Sequence, residues 1–188
     1  MLIELYKFQA EKYKRSFYAF CLDAFKILHN GSELVPNWHI SYICDTIQNS
    51  LSSEEQKHLI FNVPPRTLKS ELVNVFLSAW ILALDSSKQI ISTSYSYTLS
   101  QGLSLQTRRL IESDWYKLHF PDVEISKDEN TKQKFTTTNG GMRYSTSTGG
   151  TVTGLGADVI IVDDPQNPQL ARSDVERENA NRFFNETL

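Results

Sequence analysis

The chain has 188 residues, 40% hydrophobic and 22% charged, enough for one domain of ordinary size, or one domain with a helical extension, around a real core. A formal net charge of −3 excludes a surface covered in phosphate-binding lysines, while leaving room for a local basic patch or a ring of subunits on nucleic acid. Two cysteines without CxxC spacing, Cys21 and Cys44, argue against a disulfide framework or a zinc site and for buried free thiols in a reducing compartment.

In chain order, apolar residues first recur at helical spacing from Leu2 to about Asn30, through Leu5, Phe8, Tyr13, Phe17, Phe20, Phe25 and Leu28. Asn30-Gly31 is a stop signal. Pro36 and Asn37 lead into a second predicted helix, Trp38 to about Leu51, which ends in the polar run Ser52 to Lys57. His58 to Val63 reads as a short buried strand running into Pro64-Pro65. A helix from Lys69 to about Leu84 follows, then a strand over Gln89–Ser94 and a helix from Tyr97 to Glu112. Strand, helix, strand, helix with short connections predicts a mainly parallel sheet flanked by helices. Two polar strands around Asn139-Gly140-Gly141 read as a β-hairpin. A Gly- and Thr-rich loop, Ser147 to Gly156, precedes the most hydrophobic strand, Asp158 to Val162, which ends at Asp163-Asp164-Pro165. A last helix is expected from Asp174 to Leu188. No stretch approaches 18 uncharged apolar residues, and Met1 to Lys14 carries Glu4, Lys7, Glu11 and Lys12. The expectation is a cytoplasmic protein with no membrane span and no signal peptide.

Two segments carry chemistry. Pro64-Pro65-Arg66-Thr67-Leu68-Lys69-Ser70 lies between a predicted strand and a predicted helix, the context of a phosphate-binding loop. There, backbone N–H groups and a helix N-terminus cradle phosphate, the lysine reaches the β- and γ-phosphates, and the serine hydroxyl binds Mg²⁺. Val63 and Leu68 stand where the usual pattern has glycine, so Leu68 must bring its backbone to the phosphate with its side chain pointing away. The plain reading is a Pro-Pro strand exit and an ordinary helix start. The second segment, Val159 to Asp164, is an apolar strand ending in two carboxylates, where open α/β sheets bind ligands. One acid can hold the metal and the next can polarise a water, provided the strand already bends at Asp164. The plain reading is a solvated turn.

With these residues in view, the chain resembles the ATPase region of the large terminase subunit of tailed phages, the DNA-packaging motor. Pro64 to Ser70 looks like the family's variant phosphate loop, and Asn37-Trp38-His39-Ile40 like its adenine-side motif. Ser94-Tyr95-Ser96 with the helix to Arg108-Arg109 looks like the segment after the second strand. Gly150 to Asp158 running into Val159–Pro165 is the most specific match. The resemblance implies an ASCE-type P-loop fold with an N-terminal helical extension, residues 1–57, carrying the adenine-side motif, and a P-loop ATPase core, 58–188. It implies ATP and Mg²⁺ as ligands, with Lys69 and Ser70 on phosphate and metal, Asp163 as the metal-side acid and Asp164 as the catalytic carboxylate. Arg66 is a candidate for stabilising the transition state, against a surface salt bridge. Trp38 is a candidate for stacking on adenine, against simple packing between the first helices. Double-stranded DNA, a portal protein, a small terminase subunit and a homo-oligomeric ring are the implied partners, in the host bacterial cytoplasm. Leu155 stands where many relatives carry Arg, and the final acids read Asp-Asp rather than Asp-Glu. The family's C-terminal nuclease would follow Leu188, so nuclease activity is not expected of these residues.

Overall fold

The computed structural model describes every residue except Met1, Glu54, Gln56, Lys57, Thr151, Thr153, Ala171, Thr187 and Leu188, and leaves out the side chains of Leu2 and Ile3. Thr151 and Thr153 of the Gly-Thr loop, part of the polar run before His58, and Thr187 and Leu188, which the expected last helix would include, therefore lie outside the described residues.

The expected first helix is two: α1 (Leu2–Arg15) and α2 (Phe17–Leu28). Ser16 takes an extended conformation, and its side chain caps α2 by accepting from the Ala19 N–H. Gln48 closes the break from α3 (Trp38–Leu51). Its Oε1 accepts from the Phe17 N–H at 2.8 Å and its Nε2 donates to the Arg15 carbonyl at 3.0 Å. Periodicity alone could not see this, because apolar residues continue on both sides of Ser16.

The expected helix after Lys69 begins as a π-helical segment, Glu71–Phe76, and continues as α4 (Leu77–Leu84). β1 (Gln89–Ser94) and α5 (Tyr97–Glu112) fall where the pattern placed them. A short α6 (Asp114–His119) and a strand β2 (Ile125–Asn130) precede the hairpin of β3 (Lys134–Thr137) and β4 (Met142–Ser147). The Asn-Gly turn uses Gly140 at φ 86°, and a Cβ on Gly141 would meet the Ser86 carbonyl oxygen at 2.2 Å, so both glycines are required. β5 (Val159–Asp163) and α7 (Asp174–Glu186) complete the chain.

The five strands form one mixed sheet in the order β2-β3-β4-β1-β5. β1 pairs parallel with both β4 and β5, while β2-β3 and β3-β4 are antiparallel. His58–Val63 is not in it. That segment has no regular secondary structure, is largely exposed and follows no ladder, although Phe61 and Val63 lean on the core. The expectation of a buried strand there is corrected: an apolar run of this length cannot by itself distinguish a paired strand from an irregular lead-in.

Alternation along the strands assigns the two faces. Ile90, Phe135 and Ile161 join the main core with Phe17, Phe20, Phe76, Trp80 and Tyr116 from the helices. Ile91 and Tyr144 face the other way, against Val152 and Phe183 of α7. The helices of residues 2–51 share the main core with the sheet, and the Trp80 indole N–H donates to the Tyr13 carbonyl at 2.8 Å. Cys21 and Cys44 are buried free thiols, facing each other across α2 and α3 with sulfurs 3.8 Å apart. Among the described residues, no helix is long and apolar enough to cross a membrane.

Candidate phosphate and carboxylate site

The register of β1 brings Ser94 level with both Ser147 and Asp163, so three parallel strands end on one line. Backbone bonds tie these ends together. The Tyr95 N–H donates to the Asp164 carbonyl at 2.9 Å, and Thr148 donates from its N–H to the Ser94 carbonyl and from its hydroxyl to that of Pro165. The carboxyl ends of a parallel sheet are where such folds hold ligands.

The segment Pro64–Ser70 reaches this line from outside the sheet. The Thr67 hydroxyl bonds back to the Pro64 carbonyl at 2.8 Å, and the Leu72 N–H reaches the Leu68 carbonyl at 2.9 Å, opening the helix. Leu68 has φ 63°, the left-handed conformation expected of glycine there, and its side chain packs against the main core. Arg66 has φ 65° and Asp164 φ 46°. Among the described residues, the only other non-glycine residue with positive φ is Asn30, at a helix end. Left-handed φ in a non-glycine residue costs about 1–2 kcal/mol and gathers at functional sites. Three of four such residues converge on one place.

Lys69 is the junction. Its Nζ lies 3.2 Å from Asp163 Oδ1 and donates a short hydrogen bond to Asp164 Oδ1. The two acids differ: Asp163 is buried and Asp164 is exposed. Because β5 ends at Asp163 and the chain turns left-handed at Asp164, the neighbouring carboxylates meet one lysine instead of pointing to opposite faces. Burial is the largest effect on the Lys69 ammonium and lowers its pKa. The contacts with Asp164 and Asp163 together outweigh it, and the net shift is upward, holding the lysine charged.

Among the described residues, buried Asp163 Oδ1 accepts no hydrogen bond, and its nearest charged neighbour is the Lys69 ammonium at 3.2 Å. A buried carboxylate oxygen without a donor suits a cation or its water shell. Ser70, at the start of the helix, is the second oxygen the sequence assigned to a metal. Among the described residues, no group of three or more His, Cys, Asp or Glu side chains could hold a metal ion. This donor set fits Mg²⁺, which typically takes one or two protein ligands and completes its shell with water and phosphate oxygens.

Trp38 stands at the start of α3 with 77% of its surface exposed, which rules out packing between the first helices. Its neighbour His39, part of the same segment, is the residue that touches the loop, with Nε2 3.3 Å from the Thr67 carbonyl. Arg66 is exposed and makes no ion pair among the described residues, so the salt-bridge alternative is not what holds it. Glu71, directly after Ser70, pairs with His29 at the end of α2 at 2.8 Å, and His29 stacks on Phe25. The only sequence signal for this brace was the acid beside the lysine-serine pair.

A cleft of about 530 Å³ opens between α7 and the segments that follow β1, β4 and β5. Tyr95, Thr148, Pro165 and Phe183 line it and Lys69 does not, so it is a neighbour of the carboxylate site rather than the site itself. Comparison of the chain with family models and with curated proteins finds no match.

Proposed function

We propose that this chain is a Mg²⁺-dependent ATP hydrolase of the P-loop, ASCE type, and that it serves as the ATPase domain of a phage terminase large subunit, driving double-stranded DNA into a procapsid. The observation that carries the ATPase reading is Lys69 bridging Asp163 and Asp164 beside a left-handed Leu68, at the level carboxyl ends of parallel strands. The motor reading rests on the motif resemblance from Asn37 to Pro165.

In this reading, the amides of Arg66 to Ser70 and the helix behind them face the phosphates. Lys69 leaves the two acids for the β- and γ-phosphate oxygens. Ser70 and Asp163 would hold Mg²⁺, which when bound would neutralise charge on the phosphate oxygens. Asp164 orients the attacking water and accepts its proton as the water oxygen bonds to the γ-phosphorus and the bond to ADP breaks. Arg66 answers the charge that develops on the transferring phosphoryl group, and Trp38 stacks on adenine. Duplex DNA, a portal protein, a small terminase subunit and a ring of identical copies are the partners this reading implies.

Phosphate release with Mg²⁺ and duplex DNA tests it. Lys69→Ala and Asp164→Asn are each expected to lower turnover by about 100-fold or more. Turnover equal to the parent's in both variants sinks the ATPase reading.

One observation favours a second reading. His58–Val63, which should brace the loop, stands outside the sheet, as it would in a non-catalytic terminase remnant that binds nucleotide or partners without turnover. Binding of a fluorescent ATP analogue by a parent that releases no phosphate would select that reading.

A further inference from the structure

Arg143 on β4 is fully buried. Among the described residues, it meets no carboxylate. Its guanidinium donates to Asn74 Oδ1 at 2.5 Å, Ser145 Oγ at 2.5 Å and Ser78 Oγ at 3.3 Å. Asn74 Oδ1 also accepts from Ser92 Oγ of β1 at 2.9 Å, while Asn74 Nδ2 is buried without a partner among the described residues. One side-chain oxygen thus joins the helix to two strands of the sheet.

Stability does not account for this network. A buried cation without an anion costs several kcal/mol relative to an apolar side chain of similar volume, and burial pushes the Arg143 guanidinium down to about 9. Its place is informative. Asn74 lies within the π-helical segment, where the Leu77 N–H bonds back five residues to the Leu72 carbonyl. One inserted residue rotates everything ahead of it by about 100° relative to a continuous α-helix. Lys69 and Ser70 are immediately ahead. Ser92 lies two residues before Ser94, the register partner of Asp163. The network therefore spans the two sides of the site, with the lysine on one and the acids on the other.

We propose that Asn74, gripped by Arg143 and Ser92, is a positioning residue that holds the π-helical segment in phase and so sets the approach of Lys69 to Asp163 and Asp164. Its consequence for turnover rests on the ATPase reading, whereas the geometry itself does not.

Lys69 is therefore probed directly, by its rate of modification with an amine-acylating reagent, read by mass spectrometry, with Lys88 as internal reference. In folded Asn74→Ala, Lys69 is expected to react about threefold faster or more, with Lys88 unchanged. Asn74→Asp, which keeps the acceptor oxygen, is expected to react at the parent's rate. An unchanged Lys69 rate in Asn74→Ala, or Lys69 and Lys88 rising together, overturns the proposal. Should Asn74→Ala fail to fold, Ser92→Ala, which releases Asn74 from β1, is judged by the same criteria. In turnover, Asn74→Ala is expected to lose about tenfold in kcat with KM nearly unchanged, the pattern of a misplaced catalytic group. Failure of the ATPase reading would instead appear as a parent that releases no phosphate while the acylation pattern holds.

Discussion

Leu68 shows what a single residue must reconcile. Its backbone is left-handed and its partly buried side chain packs against the core, so strain of about 1–2 kcal/mol is offset by apolar burial of similar size. Removing the side chain in two ways separates these effects. Leu68→Ala loses the packing and keeps the strain; Leu68→Gly loses the packing and the strain. Glycine is therefore expected to be more stable than alanine here by about 1 kcal/mol, the reverse of their order within a helix or strand. Urea denaturation of the two variants measures it, and alanine equal to or better than glycine would show that the left-handed conformation is wrong. Asp164, also left-handed, carries the complementary lesson. The dipeptide Asp163-Asp164 announced a strand end, but not that the turn would point both acids at one lysine.

Among the elements, the junction of α1 and α2 sets a pH dependence. The Tyr13 hydroxyl donates to Asp23 Oδ2 at 2.9 Å, and Tyr13 is 4% exposed. Burial, then the hydrogen bond and charge of Asp23, push its phenol from 10.0 up to about 12. The folded state therefore favours the neutral phenol. The resulting stabilisation is complete below pH 10 and is lost as pH rises through 12. Urea midpoints of the parent and Tyr13→Phe are expected to run parallel up to about pH 10, with the parent falling relative to the variant above it. Curves that stay parallel to pH 12 would show that the shift is absent. Comparison with the variant cancels the other groups that titrate at high pH.

For the molecule as a whole, the question is whether residues 1–57 behave as an appendage. Tyr13, Phe17 and Phe20 lie in one cluster with Phe76, Trp80, Ile90 and Phe135, and Trp80 is bonded to the Tyr13 backbone. One core predicts one cooperative transition. Helix content by circular dichroism and the environment of the buried Trp80 and the partly buried Trp115 by fluorescence are expected to change at the same urea concentration, and Trp80→Phe to lower both midpoints together, by an amount equivalent to about 1 kcal/mol for the lost hydrogen bond. Separate midpoints in the parent would establish two units.

Local pattern alone was enough for α3, α5, β1, β5 and the Asn-Gly hairpin, because helical period, strand alternation and turn chemistry are properties of neighbouring residues. It also picked out Lys69, Ser70, Asp163 and Asp164, since a lysine-serine helix start and an acid-ended apolar strand are legible as residue types. It could not place His58–Val63, which has the composition of a buried strand and no partner in the sheet. Nor could it find the break at Ser16, which Gln48 completes from 32 positions away. Bringing Lys69 onto two acids almost a hundred positions downstream, His39 onto Thr67 and Arg143 onto Asn74 was left to the tertiary structure. Those distances depend on sheet order, register and the phase of one helix, which are set by the packing of the whole chain against itself.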